Sequence, residues 1–404
     1  MSPKKMDDQH RIDYILLVTI IALLVIGLLM VFSATFALGY QLYQQPTYFL
    51  MRQLLWVGVG ALAMMVTTRL EYHIWLRFST WIILATLALL ILVLLVGDSR
   101  FGGQRWLFNG SVQPSELAKL ATIIYVAHWL SSKGEQLRRF DHGLIPYAVL
   151  VGGITGLIIL QRDLGTAVLV AATALTMFFV AGASIWQFSL IGLLGSAALV
   201  VLVTQSSYRM SRVLTFLDPF SADPQGAGYQ IRQILIALGS GGIFGLGFGV
   251  SRQKFGYIPA SHTDGIFAIL GEELGLVGSL LVIGLFALLA YRGFKIALAA
   301  PDTYGMVLAT GITCSLIYQA IINIGVVTAT LPFTGMPLPF ISFGGSSLVV
   351  CMAGAGLLLA VSRRTLPDEL QDEELRETGH LRRRNRRARV SGARRRRRPS
   401  TAEA

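Results

Sequence analysis

Apolar residues run through the chain in long blocks separated by short polar breaks. Blocks fall near 14–36, 53–68, 79–97, 116–131, 143–160, 165–182, 186–204, 265–290, 305–328 and 343–362. A membrane crossing takes about 20 apolar residues, so the pattern predicts an all-α integral membrane protein of about ten transmembrane helices. The blocks at 53–68 and 116–131 are short for a crossing. No block alternates with period two over the roughly ten residues of a transmembrane barrel strand. The first block is longer than the 7–15 apolar residues of a typical cleaved signal and reads as a retained anchor.

Composition narrows the class. Of 404 residues, 54% are hydrophobic and 14% charged, against about 25% charged in soluble domains. Mean hydropathy is +0.62. This excludes a soluble enzyme and, equally, a disordered chain. The two cysteines, Cys314 and Cys351, lie in apolar blocks and suit ordinary helix packing.

Charge sets the expected orientation. With the N-terminus inside, the segments 1–13, 69–78, 132–142, 183–185, 291–304 and 363–404 are cytoplasmic and hold 24 of the 34 Lys and Arg residues. That is the positive-inside bias, and it places both termini in the cytoplasm. The chain then divides into a short N-terminus (1–13), a polytopic domain (14–362) with a large external loop between helices 7 and 8 (205–264), and a basic cytoplasmic tail (363–404) expected to lack fixed structure. The tail has 14 Arg against 7 acidic residues, so it carries +7 of the net +12. A juxtamembrane Arg cluster suits anionic membrane lipids, at about 1 kcal/mol per residue, better than nucleic acid.

The external breaks carry the chemistry. The loop 205–264 holds Arg209, Arg212, Arg232, Arg252 and Lys254, which suggests an anionic ligand. Tyr229–Leu238 has apolar residues at helical spacing and reads as a short interfacial helix. Six glycines follow between Gly239 and Gly249. Backbone amides there could approach phosphate, but no strand precedes them and no Walker lysine follows. Ser251–Asp264 then runs directly into an apolar helix. Ala268, Gly271, Gly275 and Gly278 lie within about 40° of Asp264 on a straight helix, so the carboxylate heads a stripe of small residues suited to close helix packing. Capping of the helix N-terminus is the structural alternative for Asp264. Glu272 and Glu273, two turns deeper, need partners or water.

Three further clusters fall on the same side. Gln113-Pro-Ser-Glu116-Leu-Ala-Lys119, preceded by Arg105, opens the fourth span, with Glu116 and Lys119 on one helix face. Gln161-Arg162-Asp163 joins spans five and six. Pro332–Ser347 is uncharged and rich in Pro and Gly. No metalloprotease His pair, Cys ligand set or nucleophile elbow occurs.

The stretches "GGQRWLFNGSVQPSELAKL", "QRDLGTA", "SRQKFGYIPASHTDGIFAILGEELGLVG" and "PLPFISFGGSS" resemble, in order, the motifs of the SEDS proteins (shape, elongation, division and sporulation). The resemblance spans about 14–362, and ten helices are what it implies. Ser251-x-x-Lys254 before Phe-Gly-Tyr-x-Pro, with Gly271-Glu-Glu-Leu-Gly, is most like the cell-division branch. Gly265 stands where a Phe is usual, Phe343 for a Tyr and Ala260-Ser261 for Glu-Ala.

The resemblance implies a peptidoglycan glycosyltransferase that polymerises lipid II outside the cytoplasmic membrane by inverting transfer. It implies Asp264 as catalytic base, a divalent cation (Mg²⁺ or Mn²⁺) with no ligand set readable from the sequence, and a single-pass class B penicillin-binding protein as partner among other divisome proteins. Candidate pyrophosphate or sugar contacts are Arg105, Lys119, Arg209, Arg212, Arg252, Lys254, His262 and Ser346. Candidate supports are Gln113, Glu116, Arg162, Asp163, Glu272 and Glu273. An elongation or sporulation polymerase of the same family, a lipid II flippase and a non-catalytic scaffold are the competing readings. Polar clusters confined to one side favour the enzyme.

Overall fold

The computed structural model describes residues 12–97, 105–107, 112–218 and 227–364. All ten predicted blocks are helical: α1 (Tyr14–Tyr43), α2 (Tyr48–Arg69), α3 (Tyr72–Val96), α4 (Pro114–Lys133), α5 (Ile145–Leu160), α6 (Leu164–Val180) and α7 (Ile185–Thr204), then α10 (Ile266–Leu298), α11 (Thr303–Val327) and α12 (Gly345–Ser362). Between α7 and α10 lie α8 (Ser207–Leu217) and α9 (Ala227–Gly241). The expected helix at 229–238 sits inside α9, whereas α8 went unpredicted because its arginines mask Met210, Val213, Leu214 and Leu217. The basic tail lies outside the described residues from Thr365 onward, as does most of the segment preceding Tyr14.

Among the described residues, eight helices are long and apolar enough to cross a membrane by length and composition. α2 is one of them, because it starts at Tyr48 rather than at 53. The other two blocks are α6, which is shorter, and α4, which carries buried charge. The chain is therefore a multi-pass membrane protein.

α11 is the central post, with most of its surface buried between α4, α6 and α10. α2 lies along α12 so closely that Thr67 Oγ1 donates to Ala353 O (3.1 Å) and Thr68 Oγ1 to Gly356 O (3.2 Å). α7 is peripheral, with Gln187 its single buried residue.

The two ends of the bundle differ. At one end Asp13 pairs with Arg292 (2.8 Å), Arg364 with Glu71 (3.1 Å), and Arg363 donates to Thr68 O (3.2 Å). The polar clusters of the candidate site gather at the other.

α10 is not one straight helix. At Gly275 the backbone turns to φ 67°, ψ −162°, a left-handed region favourable to glycine. The glycine-rich segment after α9 covers this break. Leu246 N donates to Glu272 O (2.9 Å) and Gly247 N to Glu273 O (3.1 Å), while Leu276 N donates to Gly242 O (3.0 Å) and Val277 N to Ile243 O (3.1 Å). Backbone groups freed by the break thus find partners, as burial at membrane depth requires. These glycines serve close backbone contact with α10 rather than a phosphate cradle. The small-residue stripe does receive a neighbour: Leu238 of α9 packs on Gly271.

Candidate active site

Asp264 sits in the turn just before α10. Gly265, not Asp264, takes the N-cap position and offers no side-chain cap, so the carboxylate is not consumed by capping. Two neighbours fix its backbone. Asn323 Nδ2, from α11, donates to Asp264 O (2.9 Å) and to Met336 O (2.7 Å). Ser342 Oγ donates to Thr263 O and accepts from Leu338 N (2.8 Å). Phe343 N donates to His262 O (2.9 Å). The Pro- and Gly-rich segment 332–347 is therefore laced directly to the Asp264 turn.

The carboxylate itself accepts from Thr263 Oγ1 (2.9 Å) and lies beside Gly335, where a Cβ would stand 3.5 Å from Oδ2. Burial holds its pKa above the ordinary carboxylate value. The Thr263 hydroxyl, the backbone amides of Asp264 and Gly265, and the positive charge of Arg212 oppose that shift without cancelling it. Arg212 reaches the site from α8. It donates to Phe333 O (3.0 Å) and stacks on Tyr208 and Phe333, 4.6 and 5.2 Å from the ring centres.

The other expected cations are placed differently. Lys254 does not face a site opening. Its Nζ is buried, donating to Ser33 Oγ of α1 (3.1 Å) and Gly249 O (2.7 Å) and pairing with Glu273 Oε1 (3.0 Å). Lys119 is likewise buried, between Glu116 Oε2 (2.6 Å) and Gln319 Oε1 (2.7 Å). Arg105 braces the α5–α6 turn by donating to the carbonyls of Gln161 (3.1 Å) and Arg162. Arg209 donates to Leu202 O (3.0 Å). Arg252 is exposed; its backbone amide donates to Glu272 Oε1 (3.0 Å) and its carbonyl accepts from Phe255 N (3.3 Å).

The expected supports bind one another. Asp163 caps α6 through Thr166 N (3.2 Å) and accepts from Gln113 Nε2 and Ser115 Oγ, both at 3.0 Å. Glu272 accepts from Ser251 Oγ and from the amides of Arg252 and Gln253. Glu273 accepts from Ser33 Oγ (2.6 Å) as well as from Lys254. The two carboxylates thus staple the start of the loop whose far end bears Asp264. Arg162 stands in a left-handed turn, φ 60°. His262 packs between Phe49 and Phe343, each 5.6 Å away, and burial lowers its pKa to about 4. It is a neutral ring near pH 7, not a cation. Ser346 is half-buried in the first turn of α12.

Sequence reasoning missed Asn323, Gln319 and Ser33. Gln319 and Asn323 lie one turn apart on α11 and hold Pro337 O (2.8 Å) and Met336 O. Two amides on one face of an apolar span were the available signal. Among the described residues no group of three His, Cys, Asp or Glu converges. Asp264 alone could offer a carboxylate to a divalent ion, which suits Mg²⁺ only where substrate phosphates supply further ligands.

The chain is similar to known proteins along most of its length. Stage V sporulation protein E of Bacillus subtilis is 44% identical over 355 residues, covering 87% of this chain and 97% of that protein. The protein of Trichlorobacter lovleyi named "Probable peptidoglycan glycosyltransferase FtsW" is 39% identical over 356 residues, covering 87% and 93%. Among solved structures, a chain of a peptidoglycan synthase complex superposes with a TM-score of 0.71 at 32% identity, covering 87% and 98%. The rod shape determining protein RodA of Thermus thermophilus does so with a TM-score of 0.66 at 29% identity, covering 91% and 100%. The family model described as "Cell cycle protein" matches residues 14–366, and the chain belongs to this FtsW/RodA/SpoVE family.

Proposed function

We propose that this protein is a peptidoglycan glycosyltransferase that polymerises lipid II at the outer face of the cytoplasmic membrane. One observation carries the reading: a carboxylate with a raised pKa, uncommitted to capping, stands beside a glycine and an arginine at the end of a membrane bundle. In the reaction the 4-hydroxyl of an acceptor GlcNAc attacks C1 of the donor sugar. Its proton passes to the Asp264 carboxylate. The C1–O bond to undecaprenyl pyrophosphate breaks, its electron pair leaves with the pyrophosphate, and the anomeric centre inverts.

A hydroxyl is a poor nucleophile, and a base whose pKa is lifted toward neutrality takes its proton more readily. Arg212 is placed to meet the charge that develops on the leaving group. Its two aromatic neighbours hold the guanidinium plane. Asp264 is the residue that would hold a divalent cation, Mg²⁺ or Mn²⁺, which would supply further positive charge against the leaving group. Thr263 and Asn323 orient the carboxylate and its backbone.

We infer a class B penicillin-binding protein as partner and septal wall synthesis as the cellular role, from the division-type motifs and the FtsW relatives. The 44% identity to a sporulation protein supports a sporulation polymerase as the second reading. Depletion separates the two: filaments without septa mark division, and normal growth with defective spores marks sporulation.

The central test uses purified protein with labelled lipid II, divalent cation and the partner. Wild type should form polymer. Asp264→Asn should lose about 10²–10⁴-fold in rate while retaining its melting temperature. A loss of less than about tenfold would remove Asp264 as the base. Lipid II movement across vesicles without polymer would instead identify a flippase.

A further inference from the structure

The glycine-rich segment that covers the break in α10 exposes an apolar edge that the chemistry above leaves unused. Ile243 is 61% exposed, Phe244 81%, Leu246 41%, Phe248 49% and Val250 55%. No charged residue occurs from 242 to 250. In water this would be an unusual patch, since large contiguous apolar surfaces mark interaction sites.

Depth can be read from α10. The helix has 33 residues, about 50 Å at 1.5 Å per residue, longer than the roughly 30 Å of hydrocarbon. Tyr291, 63% exposed and next to the Asp13-paired Arg292, marks the far interface, where tyrosines concentrate. Counting back about 20 residues places the near boundary close to Gly271. The break at Gly275 then lies about 6 Å inside the hydrocarbon. Irregular backbone is tolerated there only when its polar groups are satisfied, and the four cross-bonds between 242–247 and 272–277 do this. The exposed edge is also continuous with Leu276, Val277, Leu280 and Leu281 of α10, each more than half exposed, on a helix that crosses the membrane.

We propose that Ile243–Val250 is a shallow re-entrant segment whose apolar edge contacts lipid acyl chains in the leaflet on the Asp264 side. It anchors the start of the loop that Glu272 and Glu273 staple, and so fixes that loop relative to the bilayer as well as to the bundle.

The test is nitroxide labelling of Phe244→Cys and, separately, Phe248→Cys. Both are made in a background lacking the two buried cysteines, in phosphatidylethanolamine/phosphatidylglycerol vesicles without any partner. Leu280→Cys reports lipid and Arg252→Cys reports water. Labels at 244 and 248 should relax with oxygen as at 280 and be shielded from a water-soluble nickel chelate. Nickel access matching that at 252 would overturn the proposal and leave the edge to a protein partner. Shielding from both probes would overturn it too, because the edge would then be covered by protein. Either position suffices if the other variant fails to fold.

Discussion

Lys254 shows how burial changes what a residue can do. A cation on an external loop beside a proposed catalytic carboxylate reads as a phosphate ligand, yet its ammonium is sealed against Glu273, Ser33 and Gly249. Removing one partner of such a pair strands the other charge, at a cost on the order of 3–5 kcal/mol, whereas replacing both by apolar groups can be neutral. Glu273→Leu and Lys254→Met should therefore each lower the melting temperature sharply, and the double variant should recover most of it. A double variant that melts normally but requires far more lipid II would return Lys254 to the binding site. His262 makes a second prediction with a definite sign. Its folded pKa is about 4 against 6.5 unfolded. Between those values the unfolded chain binds the extra proton, so stability falls as pH drops from about 6.5 to about 4. His262→Phe should flatten the melting temperature over this window.

Elements were legible in the sequence where hydrophobic length decides them and illegible where backbone geometry does. Ten blocks became ten helices because an apolar run of that length has few alternatives in a bilayer. The break in α10 was hidden because Gly275 fits a stripe of small residues as well as it fits a left-handed turn. Asp264 was legible as a candidate from its place at a membrane-helix entrance. Arg212 could not be told from the other loop cations, since only the fold of α8 brings it there. Gly245 tests the break directly: its φ is +81° and a Cβ would stand 2.1 Å from Glu273 O. Gly245→Ala should destabilise the protein by more than the roughly 1 kcal/mol of an ordinary glycine replacement. Protease cleavage within 242–265 should rise in parallel, whereas Gly239→Ala, which meets nothing, should be silent in both measurements.

Across the whole molecule, the candidate site and the contacts of Arg363 and Arg364 occupy opposite ends. α12 leaves the site at Gly345 and ends at Ser362, about 27 Å away, where Arg363 and Arg364 hold Thr68 and Glu71. Deleting Thr365–Ala404 should leave polymerisation of lipid II by purified protein unchanged while altering binding to anionic vesicles. A truncated protein that inserts normally and yet makes no polymer would break that separation. The interruption at Gly275 acts on the same axis. A continuous rod of 33 residues would carry any tilt of its lower portion straight to the turn that bears Asp264. With the rod broken at Gly275 and both pieces clamped to 242–247, the upper piece takes its direction from that clamp and from the Ser33–Glu273 bond to α1, so the turn that bears Asp264 is aimed by neighbouring elements and not by the tilt of one long rod alone.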